Sequence, residues 1–263
     1  MRWAGSKRAL LHHVLDLVPS EYGTYWEPFL GSGSLFFKLR PPIAVLGDSC
    51  VPLIQTFAAV RDAPQAVGAK VQELDITDED LFYRIRREDG SNNRYASAAR
   101  FIYLNRAGWS GLYRVNSKGQ FNVPFGRAKK DTPFDSENLK SCSKALKSAK
   151  VQLRKGDFEH ALRGVKKGDF VFLDPPYVTA HANNGFVEYN QKLFSWEDQV
   201  RLSVVAEQLR SAGVHVVITN ADHKDILKLY PNFYYHQFER FSTLATKPDK
   251  RRIVSEIVLY ANG

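Results

Sequence analysis

The chain has 263 residues, 44% of them hydrophobic and 25% charged, which fits one large globular domain or a domain carrying a substantial insertion. Lys and Arg number 37 against 28 Asp and Glu, a formal net charge of +9, and a surplus of that size favours a polyanionic partner such as nucleic acid. The two cysteines, Cys50 and Cys142, stand in no CxxC or metal-ligand spacing, and no apolar run approaches about 18 residues, so a reduced cytoplasmic protein with free thiols, no metal and no membrane span is expected.

The N-terminal stretch MRWAGSKRALLHHVLDLV lacks the apolar core and small-residue cleavage site of a signal peptide. Within it, apolar spacing over 8–18, closed by Pro19, predicts a helix. TYWEPF (24–29) predicts a short strand broken at Pro28, LGSGSLFFKL (30–39) a glycine turn feeding a helix, and IAVLGD (43–48) a buried strand ending on an acid. Strand, helix and strand in that order make a βαβ unit and imply a parallel sheet. The rhythm then stops. Residues 53–106 read mostly helical, and 107–127 (AGWSGLYRVNSKGQFNVPFGR) reads as a hairpin with its tip at Ser117-Lys118-Gly119. Residues 127–155 hold nine Lys/Arg against three acids, a net of +6. The α/β rhythm resumes at VQLRKGDF (151–158). It continues through FVFLD (170–174), a helix at 196–212, HVVITN (215–220) and a closing strand pair at 233–241 and 253–262. The expected fold is α/β, a Rossmann-like, mostly parallel sheet with a closing antiparallel strand. Residues 1–55 and 150–263 form it, and 56–149 form an inserted helical and β-hairpin module.

Two motifs carry chemistry. In EPFLGSG, Gly31 and Gly33 follow a strand and precede a helix, where glycine lets a ligand approach the backbone. Asp48, ending the next strand, is placed to take ribose hydroxyls, so the pair suggests an adenosine-containing cofactor; the missing third glycine argues against a nicotinamide dinucleotide. In FLDPPY, the prolines have no N–H and cannot prolong the buried strand, so Asp174, a stiff turn with available carbonyls and Tyr177 are left at the ligand edge of the sheet. A carboxylate, a carbonyl and an aromatic face suit a planar ring bearing an amino group.

RWAGSK (2–7), EPFLGSG (27–33), LNRAGWSGLYRVNSKGQFNVPFGR (104–127), GDFE (156–159) and FLDPPY (172–177), in this order, resemble the Dam-type DNA adenine-N6 methyltransferases over nearly the whole chain. The resemblance implies S-adenosylmethionine as methyl donor, no metal, double-stranded DNA as partner, and a flipped-out adenine as target. It assigns Trp3, Lys7, Phe29, Gly31, Gly33, Asp48, Asp157, Phe158 and Asp174 to the cofactor, and Asp174, Pro175, Pro176 and Tyr177 to catalysis. Residues 56–149 become a target-recognition domain. Its hairpin, 109–127, offers Arg114 as the first candidate for reading a base, with Asn116, Asn122, Pro124 and Arg127 next; Asn and Pro could instead shape the hairpin and Arg127 meet phosphate. Two departures stand out: Asp48-Ser49-Cys50 replaces the family's frequent Asp-x-Asn, and Trp109-Ser110 stands where relatives often carry Tyr-Asn. GATC, the family's commonest target, is the expected sequence.

The stretch 178–195 is expected to close as a loop over the extruded base, with His181 a bystander. Neither cysteine stands in the Pro-Cys context that cytosine carbon-5 methylation would need. Methylation of RNA or protein glutamine, and a non-catalytic DNA-binding relative, stay open at this point. So do a monomer against a weak dimer on DNA, a partner nuclease, and a bacterial against a phage origin.

Overall fold

The strands are β1 (Tyr25–Glu27), β2 (Ile43–Asp48), β3 (Lys150–Lys155), β4 (Phe170–Leu173), β5 (His215–Ala221), β6 (Tyr234–Phe241) and β7 (Ile253–Ala261). They form one sheet in the order β3-β2-β1-β4-β5-β7-β6. The structure, a computed structural model, describes residues 3, 11–88, 91–127, 134–148, 150–177, 194–241 and 253–263. β1 runs parallel to β2 and to β4, β4 runs parallel to β5, and β7 is antiparallel to both β5 and β6. The expected mostly parallel sheet with one reversed strand is therefore found. The chain moves outward from β1 to β2, then returns to the other side of β1 as β4, so the strand order reverses between β1 and β4. In open α/β sheets the carboxyl ends at such a reversal form the ligand edge.

The helices are α1 (Leu11–Leu15), α2 (Ser34–Leu39), α3 (Val51–Asp62), α4 (Pro64–Gln72), α5 (Glu79–Arg87), α6 (Arg94–Ala107), α7 (Ser136–Ser148), α8 (Phe158–Ala161), α9 (Trp196–Ser211) and α10 (Lys224–Leu229). The chain falls into two compact units. One comprises Met1–Ser6, Gly31–Pro42 and Asp48–Gly156; the other comprises Lys7–Leu30, Ile43–Gly47 and Asp157–Gly263.

In the second unit, Trp26, Val171, Leu173, Val216, Ile218 and Leu259 lie in one buried cluster with the inward side of α9. All four side chains of β4 are buried, as FVFL requires of a strand covered on both faces. β4 stops at Leu173, one residue short of the sequence expectation, because Pro175 and Pro176 supply no N–H for further pairing. α9 opens on a capping box, in which the Ser195 and Asp198 side chains each accept the other's backbone N–H. α10 was not legible as a separate helix, being only six residues long.

In the first unit, Pro52 and Pro64 sit at the starts of α3 and α4, where the missing N–H costs nothing. α5 is capped by Asp78, with acids in its first turn and Arg84, Arg86 and Arg87 in its last, in accord with the helix dipole. α3, α4 and α6 share a core of Val60, Val67, Val71, Ala98, Ala99 and Ile102. α7 occupies part of the stretch in which the sequence showed chiefly positive charge.

One buried carboxylate joins the starts of β1 and β4. Asp169, 6% exposed, accepts from Thr24 N (2.8 Å), Trp26 Nε1 (2.9 Å) and Lys166 N (2.9 Å). Gly23 leaves room for it, since a Cβ there would lie 2.6 Å from Asp169 Oδ1. Asp169→Ala would strand three donors, each costing about 1–3 kcal/mol, so urea unfolding is expected to show a loss of at least about 3 kcal/mol.

Candidate active site

Asp174 follows β4 directly, and β5 lies beside it in register, Leu173 opposite Ile218. The next residue of β5, Thr219, is fully buried and donates its hydroxyl to Asp174 Oδ1 at 2.6 Å. The backbone of the turn is held separately. Gln199, fully buried on α9, donates Nε2 to the Pro176 carbonyl (3.2 Å). Its Oε1 accepts from Asn220 Nδ2 (3.1 Å), and Asn220 Oδ1 accepts from Ala221 N (2.9 Å). Tyr177 is held through its ring tip, the hydroxyl donating to the buried Glu256 Oε2 on β7 at 3.3 Å. Side chains from β5, α9 and β7 thus hold the carboxylate, the second proline carbonyl and the tyrosine of one four-residue turn. On β1, next to β4, the Tyr25 hydroxyl donates to Glu27 Oε2 at 2.9 Å, and burial followed by the Glu27 charge pushes the Tyr25 phenol well above its ordinary range.

The acid-aromatic pair of GDFE lies in the same unit. Asp157 caps α8, accepting from Glu159 N at 2.9 Å, and pairs with Arg201 at 2.8 Å. Phe158 is buried, stacks on Phe29 with ring centroids 5.5 Å apart, and meets the Arg201 guanidinium 4.6 Å from its centroid. Two residues expected from separate motifs, Phe29 and Phe158, are therefore neighbours.

In the other unit, Gly31 (φ 47°) and Gly33 (φ 66°) both adopt left-handed backbone, which explains why this turn uses glycine. A Cβ on Gly31 would also come within 2.8 Å of the Trp3 ring. Trp3 in turn stacks on Tyr113, centroids 6.1 Å apart and planes at 14°. Asp48 Oδ2 accepts from Gly31 N (2.9 Å) and Oδ1 from Cys50 N (2.8 Å), so this carboxylate holds the glycine turn closed. Burial pushes the Asp48 carboxyl above its usual range, against the opposing pull of the Cys50 and Gly31 N–H groups. Burial, with the Asp48 charge second, pushes the Cys50 thiol up to about 12, which keeps it protonated and unfit as a nucleophile. Lys7 lies outside the described residues, as do His181 and most of 178–195.

The hairpin has no long strands; it is stitched by bridges Gly108–Phe125 and Val115–Phe121. Phe121, Val123 and Phe125 bury against Phe82, Tyr103 and Leu104 of α5 and α6. Glycine is needed at its base, since a Cβ on Gly126 would lie 2.8 Å from the Gly108 carbonyl oxygen. Arg114 and Asn122 are brought together: Arg114 Nε donates to Asn122 Oδ1 at 2.7 Å and Nη2 to the Asn122 carbonyl at 3.2 Å. Asn116 shapes the tip, its Oδ1 accepting from Lys118 N and Gln120 N, each at 3.0 Å. Pro124 is exposed and its carbonyl accepts from Trp109 N; Arg127 is exposed with φ 51°. Ser110 has φ 53° and ψ 16°, backbone that asparagine tolerates better than serine. The Trp109-Ser110 departure therefore falls on a strained turn.

Sequence reasoning missed Thr219, Gln199, Asn220 and Glu256. Thr219-Asn220 carried a readable signal, because HVVITN ends a buried strand on polar residues as FVFLD does. Gln199 shares the inward stripe of α9 with Leu202, Ser203 and Ala206, where an apolar residue would be the default.

A family model described as D12 class N6 adenine-specific DNA methyltransferase matches residues 3–244. The chain is 37% identical to Type II methyltransferase M1.LlaDCHI of Lactococcus lactis subsp. cremoris, the match covering 100% of this chain and 94% of that one. It is 31% identical to Type II methyltransferase M.MjaIII of Methanocaldococcus jannaschii, covering 96% and 94%. It is 28% identical to the DNA adenine methylase of Escherichia coli strain K12, covering 100% and 95%. The chain belongs to the D12 class of N6 adenine-specific DNA methyltransferases. Among the described residues no helix is long and apolar enough to cross a membrane.

Gln199→Leu removes both a donor and an acceptor from a buried chain of hydrogen bonds. Chemical denaturation is expected to show a loss of about 1–3 kcal/mol.

Proposed function

We propose that this methyltransferase uses S-adenosylmethionine to methylate the N6 amine of an adenine flipped out of duplex DNA, with Asp174 and the Pro175 carbonyl holding the amine. The observation that carries this reading is the four-residue turn at the end of β4, stiffened by two prolines and supported by Thr219, Gln199 and Glu256. The Pro176 carbonyl is engaged by Gln199, and this reading gives the Pro175 carbonyl to the ligand. An exocyclic aromatic amine is a poor nucleophile, since its lone pair is delocalised into the ring. Two N–H bonds, to Asp174 and to the Pro175 carbonyl, favour a pyramidal nitrogen with its lone pair directed outward, so orientation and electrostatics carry the catalysis. Tyr177 offers its ring for stacking, with its tilt set by Glu256. An adenine must leave the base stack to reach such a turn.

S-adenosylmethionine, when bound, supplies an electrophilic sulfonium methyl. The residues present fit it. Each oxygen of Asp48 accepts one backbone N–H, so each retains a lone-pair site for a ribose hydroxyl. Gly31 and Gly33 present bare backbone, with Trp3 beside the first, and Lys7 belongs to the same assignment. Asp157 and Phe158 are assigned to the adenine end, and Phe29, with Gly31 and Gly33, to the methionine part.

Residues 56–149 serve as the target-recognition domain in this reading, and GATC is the proposed site. With Nε and Nη2 of Arg114 turned to Asn122, the outer edge of the guanidinium is the part offered to a guanine. Asn116, Asn122 and Pro124 hold the hairpin's shape, and Arg127, with the α7 lysines Lys140, Lys144 and Lys147, meets phosphate. The relatives named Type II methyltransferases support a place in restriction–modification.

Asp174→Ala is expected to keep the fold while single-turnover methyl transfer falls by on the order of 10²–10³-fold; a rate near wild type would refute the catalytic assignment. Arg114→Ala is expected to lose about 1–3 kcal/mol of discrimination at one base pair, read as methylation spreading beyond GATC in methylation-sensitive sequencing. Uniformly weaker DNA binding with unchanged sequence choice would instead assign Arg114 to phosphate.

A further inference from the structure

The Thr219 hydroxyl occupies a place where chemistry alone would favour a methyl group. Thr219 is fully buried, and Val216, Val217 and Ile218 before it on β5 are apolar and buried. Valine would fill the same space, suit the strand, and need no hydrogen-bond partner. The hydroxyl is instead aimed at Asp174 Oδ1, 2.6 Å away, a distance typical of a strong bond to a carboxylate.

The bond answers a need that the prolines leave open. Pro175 and Pro176 stiffen the backbone, and Gln199 anchors that backbone through the Pro176 carbonyl. None of these contacts fixes the plane of the Asp174 carboxylate, because the terminal torsion of an aspartate is broad. Thr219, β-branched and enclosed, has a restricted χ1, so its hydroxyl is a fixed reference for that plane. Reacting groups must be held to within roughly 10–20° for productive geometry.

We propose that Thr219 is a positioning residue for methyl transfer: its buried hydroxyl, bonded to Asp174 Oδ1, sets the plane in which the carboxylate meets the target amine. The proposal rests on Asp174 being that amine's acceptor. It concerns orientation, so it acts on the transfer step and leaves the binding of cofactor and DNA alone.

The test compares Thr219→Val, which keeps the shape and removes the hydroxyl, with Thr219→Ser, which keeps the hydroxyl and loses the methyl. Both are assayed as full-length protein on unmethylated plasmid DNA with labelled S-adenosylmethionine. Single-turnover rate, KM for DNA, cofactor affinity by calorimetry and melting temperature are measured. Thr219→Val is expected to transfer about 10- to 100-fold more slowly, with KM and cofactor affinity within about threefold of wild type. Thr219→Ser is expected to recover to within about threefold of the wild-type rate even if it melts lower. A wild-type rate in Thr219→Val overturns the proposal. So do equal slowing in both variants, which would mark a packing role, and a defect confined to cofactor affinity. Failure of the underlying reading is distinct: there, Asp174→Ala itself would transfer at the wild-type rate.

Discussion

The carboxylate of Asp169 fixes the frame on which everything else is measured. It gathers donors from Thr24, the Trp26 indole and Lys166 just where β1 and β4 begin. The strands are then locked as Tyr25 opposite Phe170 and Trp26 opposite Val171. A slip of one residue would turn every buried side chain of β4 toward the opposite face. With β4 set against β1 and paired to β5 as Leu173 opposite Ile218, Asp174 emerges beside Thr219 at the end of β5.

The turn beyond β4 depends on polar groups in an otherwise apolar interior. Gln199, Thr219, Asn220 and Glu256 are all nearly or fully buried, and each carries a desolvation cost that an apolar residue in its place would not itself carry. Their bonds to one another and to the turn offset that cost without exceeding it by much. What they contribute is definition: a carboxylate, a carbonyl and an aromatic ring are each given one orientation. A core of Val and Leu would leave the same turn free to sample several.

Much of this was readable in the sequence where pattern and chemistry coincide. FVFL could only be a strand covered on both faces, and Pro-Pro could only end it. A mostly parallel sheet with a closing antiparallel strand followed from the element rhythm together with the family resemblance; the strand order, and β7 as the reversed strand, are seen only in the fold. The supporting residues were less legible, because their partners lie 23, 45 and 79 positions away, for Gln199, Thr219 and Glu256 respectively. Local reasoning has no access to such pairings. Asp48 shows a subtler limit: the sequence marked it as a ligand for ribose, whereas its first role in the fold is to clamp Gly31 and Cys50. In the sequence Arg114 and Asn122 are separate candidates eight positions apart, and the closure of the hairpin makes them a pair.

The hairpin takes its rigidity from below. Phe121, Val123 and Phe125 anchor it to α5 and α6, and Gly108 and Gly126 close its base. Arg114, Asn116 and Pro124 lie outside that buried cluster and add bonds within the hairpin itself. A surface of this kind can change its residues over evolutionary time, or under a protein engineer's hand, while the scaffold beneath stays folded. Within one chain, the hairpin's exposed positions rest on a packed base, whereas the turn at the end of β4 is tied by its own groups to β5, α9 and β7.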